Sequence, residues 1–180
     1  MTVTVTATDD ALRERALAVY KPHCRYLTSL VLGPDTARGT FAIPASCYID
    51  DTGHLNAAEV TICYNQLLYS ALAAAIRDGA AHAPPGWSLD DYWRLRLSAV
   101  VITRMSTDFH RPVTPRSFTG ELAVGRSLTR RFSAGAAPTT VLETSFRFED
   151  GNGGRAGGTA RIAVLGDRDH DSDTGKVLDG

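Results

Sequence analysis

Cysteine is scarce in this 180-residue chain: Cys24, Cys47 and Cys63 are odd in number and show neither a CxxC nor a Cys/His metal spacing. That pattern argues against a disulfide framework and a structural zinc site, and it fits a reducing cytosol. Charge of one sign is missing too. Nineteen Lys and Arg stand against twenty Asp and Glu, a formal net charge of −1, so nothing draws the whole chain toward nucleic acid or an anionic membrane. Any anion site must be local. No stretch is apolar enough to span a bilayer, and the first ten residues lack the basic region and apolar core of a secretory leader. A soluble, cytoplasmic protein is expected, without metal or redox cofactor.

What is present is a hydrophobic content of 43%, enough for one domain with a substantial core in a chain too short for two. That domain is expected over residues 1–166, and the polar, charge-alternating residues 167–180 read as a disordered tail. Asp9 or Asp10 can cap a helix over residues 11–20, which Pro22 stops. Strand-like runs at residues 25–32 and 37–43 flank a Gly33-Pro34-Asp35 turn. From Ala57 to about Arg77, Val60, Tyr64, Leu67, Leu68, Ala71 and Ala75 recur at helical spacing, and Asp78-Gly79 ends the run. Ser88 to Asp91 can cap a short helix reaching about Arg96. Residues 99–111, 117–132, 139–148 and 155–165 are rich in Val, Ile, Thr and Phe between turn residues, and read as long antiparallel strands forming a meander.

One long apolar helix wrapped by a curved antiparallel sheet is the α+β solution that buries all of this. Sheet edges and helix ends then stay open, so homo-oligomer formation is expected. The chemistry is expected where that helix begins. A helix N-terminus offers unpaired N–H groups and a positive dipole end to a carbonyl or an oxyanion, and here His54, Asn56 and Glu59 flank it. Asn56-Ala-Ala-Glu59 is equally the pattern of a capping box that only starts the helix. Both readings stand at this stage.

Three further segments give these residues a context: Gly53-His54-Leu-Asn56-Ala-Ala-Glu59, Cys63-Tyr64-Asn65-Gln66-Leu67, and Gly86-Trp87-Ser88-Leu-Asp90-Asp91-Tyr92. With Leu97-Ser98, Arg111-Pro112 and a looser Cys24-Arg25-Tyr26, they make the chain resemble the FcoT-like hotdog-fold family acting on acyl thioesters, over most of residues 20–125. The resemblance implies a single hotdog domain and an enzyme. Its implied activity is conjugate addition of glycine to a medium- or long-chain 2-enoyl thioester carried by an acyl carrier protein or CoA. Thioester hydrolysis and non-catalytic acyl-thioester binding are the alternatives.

In that frame Glu59 is the candidate base, taking a proton from the glycine ammonium or orienting water, and His54 can relay a proton. Tyr48, Asn65 and Ser98 match positions implied to lie at the substrate. Each can equally be a satisfied polar group. Arg104, read as a buried strand arginine, is the candidate clamp for the glycine carboxylate. Arg111 is a candidate for a phosphate of CoA or of the carrier arm. Solvent-facing charge is the competing account of both arginines.

Overall fold

The computed structural model describes residues 7–166. Helix α1 spans Ala7–Leu17, followed by a 3-10 turn at Pro22–Cys24 and the strands β1 (Leu27–Leu32) and β2 (Thr36–Phe41). Two helices come next, α2 (Ala57–Asp78) and α3 (Leu89–Ala99), then β3 (Val100–Arg111), β4 (Phe118–Arg130), β5 (Thr139–Glu149) and β6 (Arg155–Leu165). All six strands form one antiparallel sheet in the order β1-β2-β4-β5-β6-β3.

The sheet carries α2 on one face. Val60, Tyr64, Leu67, Leu68 and Leu72 of the helix pack into one buried cluster with Phe41, Leu122, Leu142, Phe146, Phe148 and Ile162 of the strands. The Tyr64 hydroxyl donates to Thr144 Oγ1 at 2.7 Å, and Thr144 in turn donates to the Ala160 carbonyl. Burial pushes the Tyr64 phenol up to about 12, so it is a neutral cross-brace at ordinary pH. Gly79, at φ 63°, closes α2 in the left-handed conformation, and its N–H returns to the Ala75 and Ile76 carbonyls. Gly158 is needed for a different reason: a Cβ there would run into the Ser106 carbonyl oxygen across the β3–β6 pair.

Two expectations are corrected. Helix α1 begins at Ala7, so Asp9 and Asp10 lie in its first turn instead of capping it. The four later strands are not a meander in sequence order. Strands β4, β5 and β6 join by consecutive antiparallel pairing, β2 occupies the far edge of β4, and β3 takes the remaining edge, beside β6. The residues expected to form a C-terminal tail, 167–180, lie outside the described residues. Among the described residues no helix is long and apolar enough to cross a membrane.

Gln66, fully buried, ties the start of β1 to α2. Its Oε1 accepts from the Tyr26 and Leu27 N–H groups at 3.1 and 2.9 Å, and its Nε2 donates to the Cys24 carbonyl at 2.6 Å. Gln66→Leu strands all three backbone groups, and at about 1 kcal/mol for each it is expected to cost about 3 kcal/mol, read as a lower urea midpoint with an unchanged slope.

Candidate active site at the start of the long helix

Three hydrogen-bonded layers position the first turn of α2. Outermost, Asp150 accepts N–H bonds from Thr114 (2.6 Å), Asn152 (2.8 Å) and Gly154 (2.8 Å), fixing the β5–β6 turn against residues 112–114. Those N–H groups hold its carboxyl down at about 2. The middle layer is the bond from the Leu55 N–H to the Val113 carbonyl, 2.9 Å. Innermost, Asn56 is extended at φ −102° and ψ 172°, and its Oδ1 accepts the Glu59 N–H at 3.1 Å while Glu59 Oε2 accepts the Asn56 N–H at 3.2 Å. The capping box is therefore real, and it holds Glu59 at 3% exposure.

Tyr48 joins this layer from outside. Its ring is 56% exposed, and its hydroxyl donates to the same Asn56 Oδ1 at 2.8 Å. With Oδ1 thus occupied twice, the Asn56 Nδ2 points elsewhere and is left buried with no partner. Just upstream, the Gly53 N–H bonds Asp51 Oδ1, and Gly53 takes φ 72°. His54 Nδ1 donates to the Thr52 carbonyl at 3.0 Å, which leaves Nε2 free to exchange protons. A groove of about 370 Å³ runs past this turn, lined by His54, Leu55, Asn56, Ala57, Phe109, His110, Arg111 and Pro112.

On the interior side, Glu59 faces neutral groups. Burial, reinforced by the Glu59 charge, raises the Cys63 thiol well above its ordinary range, so Cys63 is an inert thiol. Tyr26 is 1% exposed, and its phenol is also raised, by burial first and then by Cys47, Cys24 and Glu59.

The structure thus brings together Tyr48, His54, Asn56, Glu59 and Arg111. Asn65 is half-buried further along α2, one turn after Thr61, whose hydroxyl reaches Met105 Sδ on β3 at 3.9 Å. Two of the expected site residues lie apart from this cluster in the single chain. Arg104 is exposed: its neighbour Met105 faces α2, so Arg104 points to the opposite side of the sheet, beside Arg161 of β6. Ser98 is exposed near the end of α3, and its hydroxyl is spent on the Leu95 carbonyl at 3.1 Å. Phe109 and His110 escaped sequence reasoning because a nonlocal contact, the Leu55 N–H to the Val113 carbonyl, joins the end of β3 to the turn before α2. Among the described residues no group of three or more His, Cys, Asp or Glu can hold a metal ion.

The sequence profile of the FcoT-like thioesterase domain matches residues 15–164. A (2E)-enoyl-ACP glycyltransferase of Streptomyces coeruleorubidus is 46% identical over 162 residues, which cover 88% of this chain and 98% of that protein. One from Mycobacterium marinum is 35% identical over 170 residues, covering 89% and 88%. Among solved structures, a thioesterase family protein from Silicibacter pomeroyi superposes with TM-score 0.51 at 15% identity, over 88% of this chain and 99% of that one. The dehydratase domain of RzxB from Pseudomonas fluorescens gives 0.53 at 15% identity, over 86% and 47%. These two show the fold alone, the long helix on an antiparallel sheet of thioesterase-like hotdog proteins.

The Asp150 anchor yields a pH signature. Its folded pKa, about 2, lies below the ordinary carboxyl value of 3.8, so its contribution to stability is complete above the ordinary value and is lost as pH falls through the folded one. Between pH 4 and pH 2 the thermal midpoint of the wild type is expected to fall more steeply than that of Asp150→Asn, in scans of both proteins across that window.

Proposed function

Because the chain belongs to the FcoT-like thioesterase domain family and matches a (2E)-enoyl-ACP glycyltransferase at 46% identity over nearly all of that relative, we propose that it adds glycine to a (2E)-enoyl thioester borne by an acyl carrier protein. The geometric observation that supports this reading is a buried carboxylate, Glu59, fixed by a helix cap whose Asn56 lines a groove open to solvent.

The thioester carbonyl lies at the first turn of α2, where the N–H groups of Ala57 and Ala58 have no helical partner. Glu59 takes one proton from the glycine ammonium, freeing the nitrogen lone pair. That pair forms the N–C3 bond while the C2–C3 π pair moves through C1 onto the thioester oxygen as an enolate. The proton held by Glu59 is then delivered to C2, through His54 where the geometry requires a relay, and the carboxylate is restored. The product is an N-carboxymethyl-3-aminoacyl thioester, with the C–S bond never broken. Arg111, exposed at the groove's mouth, suits the phosphate of the carrier arm.

The same reading includes self-association and a cytoplasmic location beside carrier-protein substrates. Among the described residues strand β3 ends the sheet with its second edge unpaired, and it exposes Val101 and Phe109. A second copy on that edge covers both and walls the open side of the groove.

Incubation with a medium-chain 2-enoyl thioester and glycine is expected to add the mass of one glycine without releasing free thiol. Glycine-independent thiol release would instead mean hydrolysis, and tight binding without chemistry an acyl-binding module. Glu59→Gln is expected to lower the addition rate by roughly 100-fold or more with unchanged far-UV circular dichroism, and near-normal turnover would remove Glu59 as the base. Light scattering is expected to give at least a dimer, which Phe109→Glu shifts toward monomer.

A further inference from the structure

Strand β3 carries one residue more than its partner strand needs. From Arg104 onward it pairs with β6 residue by residue, ending with Phe109 opposite Ala156, and the next partners are Arg111 and Arg155. His110 is the extra residue of a β-bulge. In unbroken register His110 would stand opposite Arg155. The bulge instead sets two guanidinium groups directly across one ladder, an arrangement that like charges disfavour. Both residues are exposed, and among the described residues neither side chain has a hydrogen-bond or ion-pair partner. The nearby carboxylates are engaged elsewhere. Glu149, opposite Arg155 on β5, pairs with Arg147 Nε at 3.3 Å, and Asp150 accepts the Thr114, Asn152 and Gly154 N–H groups.

These arginines lie where the groove opens. A hollow of about 450 Å³, lined by Arg111, Glu149, Asp150, Gly153, Gly154 and Arg155, adjoins the groove of about 370 Å³ at the start of α2, and Arg111 lines both. Gly153 passes beneath that side chain: a Cβ there would sit 3.7 Å from Arg111 Nη1. We infer that Arg111 and Arg155 together hold a phosphate, that of the phosphopantetheine arm whose acyl thioester occupies the groove. This rests on the thioester reading above and adds Arg155 to it. Each guanidinium presents a planar fork to phosphate oxygens, and an anion between the two relieves the repulsion that the bulge creates. The four charged side chains of the hollow cancel in sum, so a free anion gains little there. A phosphate tethered to an acyl group already in the groove arrives at high effective concentration instead.

The test compares two thioesters of one 2-enoyl acid, on pantetheine and on phosphopantetheine, which differ by the phosphate alone. Wild type is expected to show a KM lower by roughly fivefold or more for the phosphorylated one. Arg155→Gln is expected to erase that preference, and Arg155→Lys to keep part of it, with the effect confined to the phosphorylated substrate. The thermal midpoint of Arg155→Gln is expected to hold or rise, because a like-charged neighbour is removed. No preference in wild type, or one that survives Arg155→Gln, overturns the site, and so does an equal rise in KM for both thioesters, which would mark a structural role. CoA and a carrier protein share this phosphate, so Arg155→Gln is expected to raise KM for thioesters of both. A rise confined to one would place the pair on the CoA nucleotide or on the carrier's surface, and would overturn the assignment. Equilibrium binding of the two small thioesters without glycine separates this from the parent reading. Phosphate-dependent binding that Arg155→Gln abolishes, in a protein that adds no glycine, keeps the site and sinks the reaction. Glycine addition without any phosphate preference does the reverse, and absence of both binding and addition sinks both.

Discussion

The reciprocal bond between Asn56 and Glu59 is the contact on which the site depends. It sets the residue at which α2 begins, and it fixes a carboxylate inside the protein within that first turn. The two effects are inseparable. Asn56 Oδ1 must receive the Glu59 N–H for the helix to start, and once the Tyr48 hydroxyl also binds it, the amide can face only one way. Its Nδ2 is then committed to a direction in which the protein supplies no acceptor.

The electrostatic setting is simple for the same reason. Cys63 and Tyr26 are both raised by burial first and by the Glu59 charge, and stay protonated at ordinary pH. On its interior side Glu59 thus has a neutral thiol and a neutral phenol as neighbours. A carboxylate already bound to an arginine would resist giving up its charge, whereas one held by a backbone N–H keeps an oxygen available to an incoming ammonium. Support comes from hydrogen-bonded backbone, running from Asp150 through residues 112–114 to Leu55, and no salt bridge enters that chain. Positioning by bonds to backbone N–H groups leaves the Glu59 charge for chemistry.

Much of this was legible in the sequence, because it is written in local patterns. The apolar spacing from Val60 to Ala75 and the Asp78-Gly79 stop define α2, and Asn56 and Glu59 define its start. The structural and the catalytic accounts of those two residues had seemed to compete; the geometry accommodates both, since the cap is what buries the carboxylate. Nonlocal facts were not legible. Which edge β3 occupies follows from the edge that β4, β5 and β6 leave free. The facing of Arg104 follows from an irregularity in the β3–β6 register between Ile102 and Arg104, which resets the alternation that spacing alone would suggest. That the Asn56 Nδ2 lacks a partner is a property of its surroundings and has no one-dimensional signature.

Placing the base within the cap also couples catalysis to the helix it starts. On the proposed reading, Glu59 alternates between carboxylate and acid once per turnover. As a carboxylate it receives a charge-assisted bond from the Asn56 N–H; as an acid it receives a weaker, neutral one. The first turn of α2 is then held most tightly before the ammonium gives up its proton and after C2 is protonated, and less tightly in between. Once formed, the enolate supplies the negative charge that the cap has given up, so the N-terminus of α2 again faces an anion. A base elsewhere on the helix would leave that terminus without a carboxylate at the start of the cycle and would have to be buried by other means.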